Sequence, residues 1–383
     1  MGKTSTKLAL ASTLAAKFKV RHQEGNYNDL VTVPLVFFGE TTPSLFNPLA
    51  WLGVFWRNQK QINNNYPYEI VVLELGTDGP GQISRFSSYL KLEMAVVTAI
   101  TPEHMEFFGT LDAVAKEEMA VSNLSTIVLA NKDLCDEKYL TGVYDLLTYG
   151  VERAADYRLT TKAGKAIITT EQTELAELDT TEKTDPELYS ILAAASVAHK
   201  FGLRADEIEK GIEAIKPVPG RMRRLKGVNK SIIIDETYNA SPDAVKMALA
   251  SLYKMDSPQK IAVLGNMNEL GASSEEEHRR IGEFCDPKQL SLVLTLGPDA
   301  NKYLAPAAEA KGCKVITFDN PYTIGDYLKP IIKPKAIILI KGSQNRVFAE
   351  EAVKVLLANS KDESKLVRQS PQWLRTKEKA FKR

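Results

Sequence analysis

The chain has 383 residues, 44% hydrophobic and 25% charged, with 49 Lys and Arg against 48 Asp and Glu for a net charge of +1. Its length allows two or more domains with well-buried cores, and its composition excludes a disordered chain. The balanced charge excludes a global field that would draw the whole protein to nucleic acid or to an anionic membrane. Cys135, Cys285 and Cys313 form no C-x-x-C pair; an odd few such cysteines points to buried thiols in a reducing cytoplasm.

In chain order, Gly2-Lys3-Thr4-Ser5 matches the end of the phosphate-binding loop G-x-x-x-x-G-K-[ST]. An Ala/Leu/Lys stretch compatible with a helix runs on to about Lys19. The first glycine of such a loop and the strand before it are absent, so the expectation is a domain cut short at its N-terminus. Ser12 and Thr13 interrupt the apolar run and Lys17 and Lys19 follow, which argues against a secretory leader. Residues 45–56 (LFNPLAWLGVFW) are too few to span a bilayer, which takes about 20. They suit either packing within their own domain or a weak contact with a membrane surface or partner. Short apolar runs at Glu69–Gly76, Met94–Ile100 and Thr126–Ala130 predict buried strands, with a helix over Leu111–Leu124 between the last two. Strands alternating with helices imply a doubly wound, mostly parallel sheet. A polar, Thr-rich β excursion is expected over 151–185, then helices over Glu187–Phe201 and Asp206–Ile215.

Pro217-Val218-Pro219-Gly220 reads as the domain boundary. A second α/β pattern follows, with strands predicted at Ser231–Asp235, Lys260–Gly265, Ser291–Gly297, Lys314–Phe318 and Ala336–Lys341. From Lys361 the chain holds eight basic and three acidic residues and reads as a mobile tail. The expected organisation is therefore a truncated P-loop-type domain, 1–217, a smaller Rossmann-like α/β domain, 218–360, and a basic tail, 361–383.

Four side chains on three successive loops fall where a parallel sheet places its ligands. Lys3 would reach β- and γ-phosphates, and the Thr4 hydroxyl would ligate Mg²⁺. Glu74, at a strand end, would hold the same ion directly or through water. His104, in the loop after the next strand, would ligate a second ion or serve as a hydrogen-bonded structural histidine. Together they suggest metal-assisted phosphoryl transfer with ATP and Mg²⁺.

Seven ordered motifs between Gly2 and about Leu357 resemble the Mur ligase family. They are Gly2 to Lys7; Glu24-Gly25-Asn26-Tyr27-Asn28 with Val33-Pro34-Leu35; Leu73-Glu74-Leu75-Gly76 with Pro80-Gly81-Gln82-Ile83; and Ile100 to Gly109. In the second half come Pro219-Gly220-Arg221-Met222, Asp235 to Pro242, and Leu264 to Gly271 with His278-Arg279 and Lys341-Gly342-Ser343. The last groups favour the MurF-type branch, which adds D-alanyl-D-alanine to UDP-N-acetylmuramoyl-tripeptide in peptidoglycan precursor synthesis. The resemblance implies that ATP phosphorylates a peptide carboxylate and that an amine attacks the acyl phosphate within a closing domain. Gly2, Lys3, Thr4 and Ser5 would bind the phosphates, and Arg221, Asp235, Tyr238 and Asn239 would contact ATP. Asn26, Asn28, Lys341 and Ser343 would lie near substrate, and a monomer is expected.

The sequence departs from the family in several places. The family's UDP-gripping N-terminal domain is expected to have no counterpart within residues 1–383. The loop before His104 has Ala99 and Thr101 where the family has Asn and Gly. Where the family carries a carbamylated lysine, the offset from His104 falls on Glu118, with Lys116 two residues earlier. Glu118 is therefore expected to replace the modified lysine as a catalytic metal ligand. Two alternatives stay open at this point: a related amide ligase of the folylpolyglutamate or cyanophycin synthetase type, and a non-catalytic relic or partner-binding module.

Overall fold

A computed structural model describes residues 2–24, 28–44, 47–162, 164–180 and 183–381. The chain divides into two compact units. The first comprises residues 1–101, 110–183 and 187–216; the second comprises 102–109, 184–186 and 217–383.

In the first unit, helix Lys3–Leu14 leads into β1 (Val20–His22), which pairs in parallel with β2 (Ile70–Val72). A six-stranded sheet follows in the order β3-β4-β5-β6-β7-β8. Its strands are β3 (Leu92–Val97), β4 (Ser125–Asn131), β5 (Leu146–Gly150), β6 (Tyr157–Lys162), β7 (Lys165–Thr169) and β8 (Glu174–Asp179). Pairing is parallel through β6 and antiparallel across β6-β7-β8, so the Thr-rich stretch is the β excursion its composition predicts. Successive β4 residues face opposite ways. Leu129 packs with Leu10 and Leu14 of the first helix and with Leu192 and Ile208, whereas Val128 and Ala130 pack with Val97, Ala115 and Leu140. Two covered faces are why these strands read as unbroken apolar runs rather than alternating ones. Helix Leu111–Met119 is shorter than expected, ending in a 3₁₀ turn, Ala120–Leu124.

The aromatic stretch belongs to helix Pro48–Ile62, capped by the Asn47 side chain. Only Val54 of this helix is buried, and Leu49, Leu52, Phe55 and Trp56 are exposed. Among the described residues no helix is long and apolar enough to cross a membrane.

The second unit carries a sheet in the order β13-β12-β11-β14-β10-β9. Its strands are β9 (Arg223–Lys226), β10 (Ile232–Glu236), β11 (Lys260–Gly265), β12 (Leu292–Leu296), β13 (Val315–Phe318) and β14 (Ile337–Lys341). All pairs are parallel except β9 with β10. Ala262 and Leu264 face one core and Ile261 and Val263 the other. Because β14 returns between β10 and β11, the strand order reverses there. The loops leaving the carboxyl ends of these three strands border the crevice where such sheets bind ligands.

The expected mobile tail is corrected by the structure. Residues from Ser360 form a 3₁₀ turn, Ser360–Lys365, and a helix, Pro371–Phe381. Local periodicity missed this because the segment is fixed through charge. Lys377 is fully buried against Glu350 and Glu351, themselves buried, so part of the basic excess is neutralised by acids outside the segment. The three cysteines are free and buried, and burial pushes the Cys135 and Cys285 thiols up to about 12, which makes them inert.

Candidate functional site

In the first unit the chemistry gathers where helix Lys3–Leu14 begins. Gly2 caps it with φ of 78°, in the left-handed region that glycine enters without a Cβ clash. No side chain caps this end and no acid lies in the first turn, so the positive end of the helix dipole favours an anion here. The Thr4 hydroxyl donates to Glu74 Oε1 at 3.0 Å. Glu74 Oε2 faces the ammonium of Lys7 at 3.2 Å, both side chains being buried. The Glu74 backbone N–H donates to the Gln23 side chain at 2.7 Å, which fixes the strand end that carries the carboxylate. Lys3 donates to Glu118 at 2.9 Å. Lys3, Lys7, Glu74 and Glu118 also line a cavity of about 570 Å³ whose other lining residues are mainly apolar, with Leu10 and Leu14 among them.

Lys7 was not singled out from the sequence. Its spacing from Lys3 was the available signal, since i and i+4 share a helix face.

Of the expected metal ligands, Thr4, Glu74 and Glu118 lie in the first unit and His104 in the second. Thr4 meets Glu74, and Glu118 meets Lys3. His104 belongs to the second unit, where its Nδ1 lies 2.9 Å from Glu269 Oε2. This contact holds the Glu269 carboxyl below the ordinary range against the opposing effect of burial. Among the described residues no group of three or more His, Cys, Asp and Glu could hold a metal ion. Lys116 is exposed.

The buried acid of this helix is Glu117, one residue before the expected ligand. Its carboxylate accepts from the backbone N–H groups of Gly81 at 2.5 Å and Ile83 at 2.6 Å, and from the Thr77 hydroxyl at 3.3 Å. It therefore fixes the turn that follows Glu74.

Asn26 lies outside the described residues. Asn28 accepts from the Gly76 N–H at 2.9 Å, and a Cβ on Gly76 would meet the Asn28 side chain at 2.3 Å. Glycine is what lets the two loops approach.

In the second unit the loops after β10, β11 and β14 are tied together. Asp235 is fully buried and accepts from Gly220 N–H at 3.1 Å, Thr237 N–H at 3.3 Å and the Thr237 hydroxyl at 2.6 Å. Burial nevertheless raises its pKa to about 6. The Arg221 guanidinium stacks over the Tyr238 ring at 4.1 Å. Gly220 has φ of +65°, and a Cβ there would come within 2.9 Å of the Tyr238 nitrogen and 3.0 Å of Val367.

Lys341 is buried and donates to the Asn239 carbonyl at 2.9 Å and to Glu236 at 3.3 Å. Burial pulls its pKa down, with Glu236 opposing. The Ser343 hydroxyl donates to the Ala240 carbonyl at 3.1 Å and accepts from Asn268 N–H at 2.9 Å. Both side chains are therefore engaged with the loops on either side of β14. His278 is also structural: its Nε2 accepts from Met267 N–H at 3.0 Å, and burial lowers its pKa.

A helix N-terminus without a side-chain cap, bearing Gly-Lys-Thr with a carboxylate on its threonine, suits a nucleotide's phosphates, and on a doubly wound α/β scaffold it points to an ATP-dependent enzyme. Residues 1–197 match the Mur ligase middle domain and residues 220–344 the Mur ligase glutamate ligase domain. The chain belongs to the Mur ligase family, and it is an ATP-dependent amide ligase of the acid–amino-acid type.

Its relatives include the UDP-N-acetylmuramoyl-tripeptide–D-alanyl-D-alanine ligases of Escherichia coli (strain K12) and Bacillus subtilis (strain 168). Each is 25% identical, over 94% and 77% of this chain, which spans 75% and 61% of their respective lengths. Among solved structures, the MurF ligase of Thermotoga maritima in complex with ADP is 26% identical, with a TM-score of 0.75 over 95% of this chain and 78% of that one.

Proposed function

We propose that this chain joins D-alanyl-D-alanine to UDP-N-acetylmuramoyl-tripeptide at the expense of ATP, through an acyl phosphate. The observation that carries the reading is the cluster at the head of helix Lys3–Leu14. Its N-terminal N–H groups and Lys3 bind and orient the nucleotide's phosphates. Lys7 Nζ lies 3.2 Å from Glu74 Oε2, both side chains being buried, so the carboxylate is held in place beside the helix head.

The residues fit a magnesium ion. A hydroxyl and a carboxylate oxygen 3.0 Å apart are the few protein ligands that Mg²⁺ takes when phosphates and water supply the rest. Thr4 and Glu74 would hold it. When bound, the ion neutralises charge on the transferring phosphoryl group. Glu118, paired with Lys3, stands beside the same loop and supplies a carboxylate without modification. The residues 235–239, with the stacked Arg221, are proposed to contact the nucleotide, and Lys341 and Ser343 to hold the neighbouring loops in register. The substrate assignment draws on the likeness to the D-alanyl-D-alanine ligases.

The test is phosphate release by purified protein given ATP, magnesium, UDP-N-acetylmuramoyl-tripeptide and a panel of amine acceptors. The expected result is turnover that requires both the tripeptide and D-alanyl-D-alanine, falling about 10²-fold in Lys3→Ala. Turnover with a different acceptor, or turnover indifferent to Lys3, refutes the proposal.

A further inference from the structure

The match to the glutamate ligase domain ends at residue 344, yet a buried ionic network beyond it reaches back to the Tyr238 loop. Helix Glu350–Leu356 opens with Glu350 and Glu351, both essentially without solvent exposure. Arg368 grips Glu350 with two bonds of 2.8 Å, from Nε and Nη2. Its remaining hydrogen-bonding capacity goes elsewhere: Nη1 donates to the Tyr238 carbonyl at 3.0 Å, and Nη2 also to the Thr237 carbonyl. Lys377, from helix Pro371–Phe381, lies 2.9 Å from Glu350, pairs with Glu351 and donates to the Arg368 carbonyl at 2.8 Å. Val367, next to Arg368, is the residue that a Cβ on Gly220 would strike at 3.0 Å. Two anions and two cations are thus enclosed with their charges balanced.

Taking charges out of water is costly, and apolar side chains of similar size would stabilise the fold at least as well. What an apolar core cannot do is hold two consecutive backbone carbonyls at a set position, which a guanidinium anchored by a carboxylate does. We infer that Arg368 is a positioning residue, and that residues 366–381 form a brace fixing the Thr237–Tyr238 backbone and, through it, the Tyr238 ring under Arg221. The brace rests on the proposed function only in that this loop is taken to meet the nucleotide.

The test compares wild type, Arg368→Ala, the charge-balanced pair Arg368→Gln with Glu350→Gln, and Arg375→Ala, an exposed cation of the same helix. Amide hydrogen exchange at Thr237 and Tyr238, both hydrogen-bonded in the fold, is read alongside the KM for ATP and kcat. The expected result is exchange at these two amides at least tenfold faster in the Arg368 variants, with that of β11 unchanged. KM for ATP rises about tenfold while kcat stays within threefold, and Arg375→Ala behaves as wild type. The charge-balanced pair keeps the question answerable if Arg368→Ala fails to fold. Unchanged exchange at Thr237 and Tyr238 in both Arg368 variants overturns the inference. Faster exchange in a protein whose wild type binds no nucleotide upholds the brace and refutes the functional reading instead.

Discussion

Replacing Asp235 with Asn should stabilise the protein, and only above a definite pH. The carboxyl is fully buried, and three donors do not compensate the loss of water, so its pKa rises from 3.8 to about 6. An acid whose pKa is higher in the folded state binds more protons there than in the unfolded chain. Its contribution to stability is complete below pH 3.8 and is lost as pH rises through about 6. At ~1.4 kcal/mol per pH unit, that interval amounts to ~3 kcal/mol lost by neutral pH. Asparagine does not titrate, but it gives up one acceptor oxygen, a cost of about 1 kcal/mol. The variant should therefore gain about 1–2 kcal/mol at pH 7, or ~2–8 °C in Tm for a domain of this size. At pH 4 it should be no more stable than wild type. Thermal unfolding of both proteins between pH 4 and 8 checks this. A Tm difference that does not change with pH, or one that favours wild type as pH rises, would refute the reasoning that burial governs this acid. Activity should fall in the same variant, because a buried acid retained at such cost is a mark of use rather than of stability.

Two further predictions test the packing around the first cluster. Glu117→Gln should cost about 2–3 kcal/mol, since a charged acceptor of three hydrogen bonds becomes an amide that faces one of them with a donor. Glu118→Gln, which removes only a part-exposed ion pair with Lys3, should cost under about 1 kcal/mol; urea unfolding that ranks them the other way round contradicts the geometry. Gly211→Ala would put a Cβ 2.6 Å from the Thr13 Cα and 2.7 Å from its carbonyl oxygen. Despite alanine's better helix propensity, it should lower stability by about 1–3 kcal/mol, seen as a lower Tm, and an equal or higher Tm would show that the two helices have room between them.

The features legible in the sequence are those that make every residue of a segment apolar or fix a turn. Lys260–Gly265 is both the predicted and the observed strand, because a parallel strand covered on both faces writes itself as an unbroken apolar run. Gly2-Lys3-Thr4 sits at the head of a helix, as its pattern requires, with Glu74 on the threonine. By contrast β1 is three residues long, includes Arg21 and His22, and is made a strand only by pairing with β2, fifty residues on. Glu117 and Glu118 cannot be told apart by type. Only the helix's rotation decides that one enters the core beneath Gly81 while the other reaches Lys3.

The least legible part is where long-range charge replaces hydrophobic pattern. Lys377 stands in a segment rich in Lys and Arg and carries every local sign of a solvated residue, yet it is fully buried. Its partners are 27 and 26 residues away, at the head of another helix. Lys7 with Glu74 is the same arrangement in the first unit. In each case the pair is enclosed next to a loop proposed to meet the nucleotide or its metal, and a hydrophobic substitute would have satisfied stability alone. Burial of a charge therefore carries information that its position in sequence does not: it marks where the fold gives up stability to fix a polar backbone or a carboxylate in place.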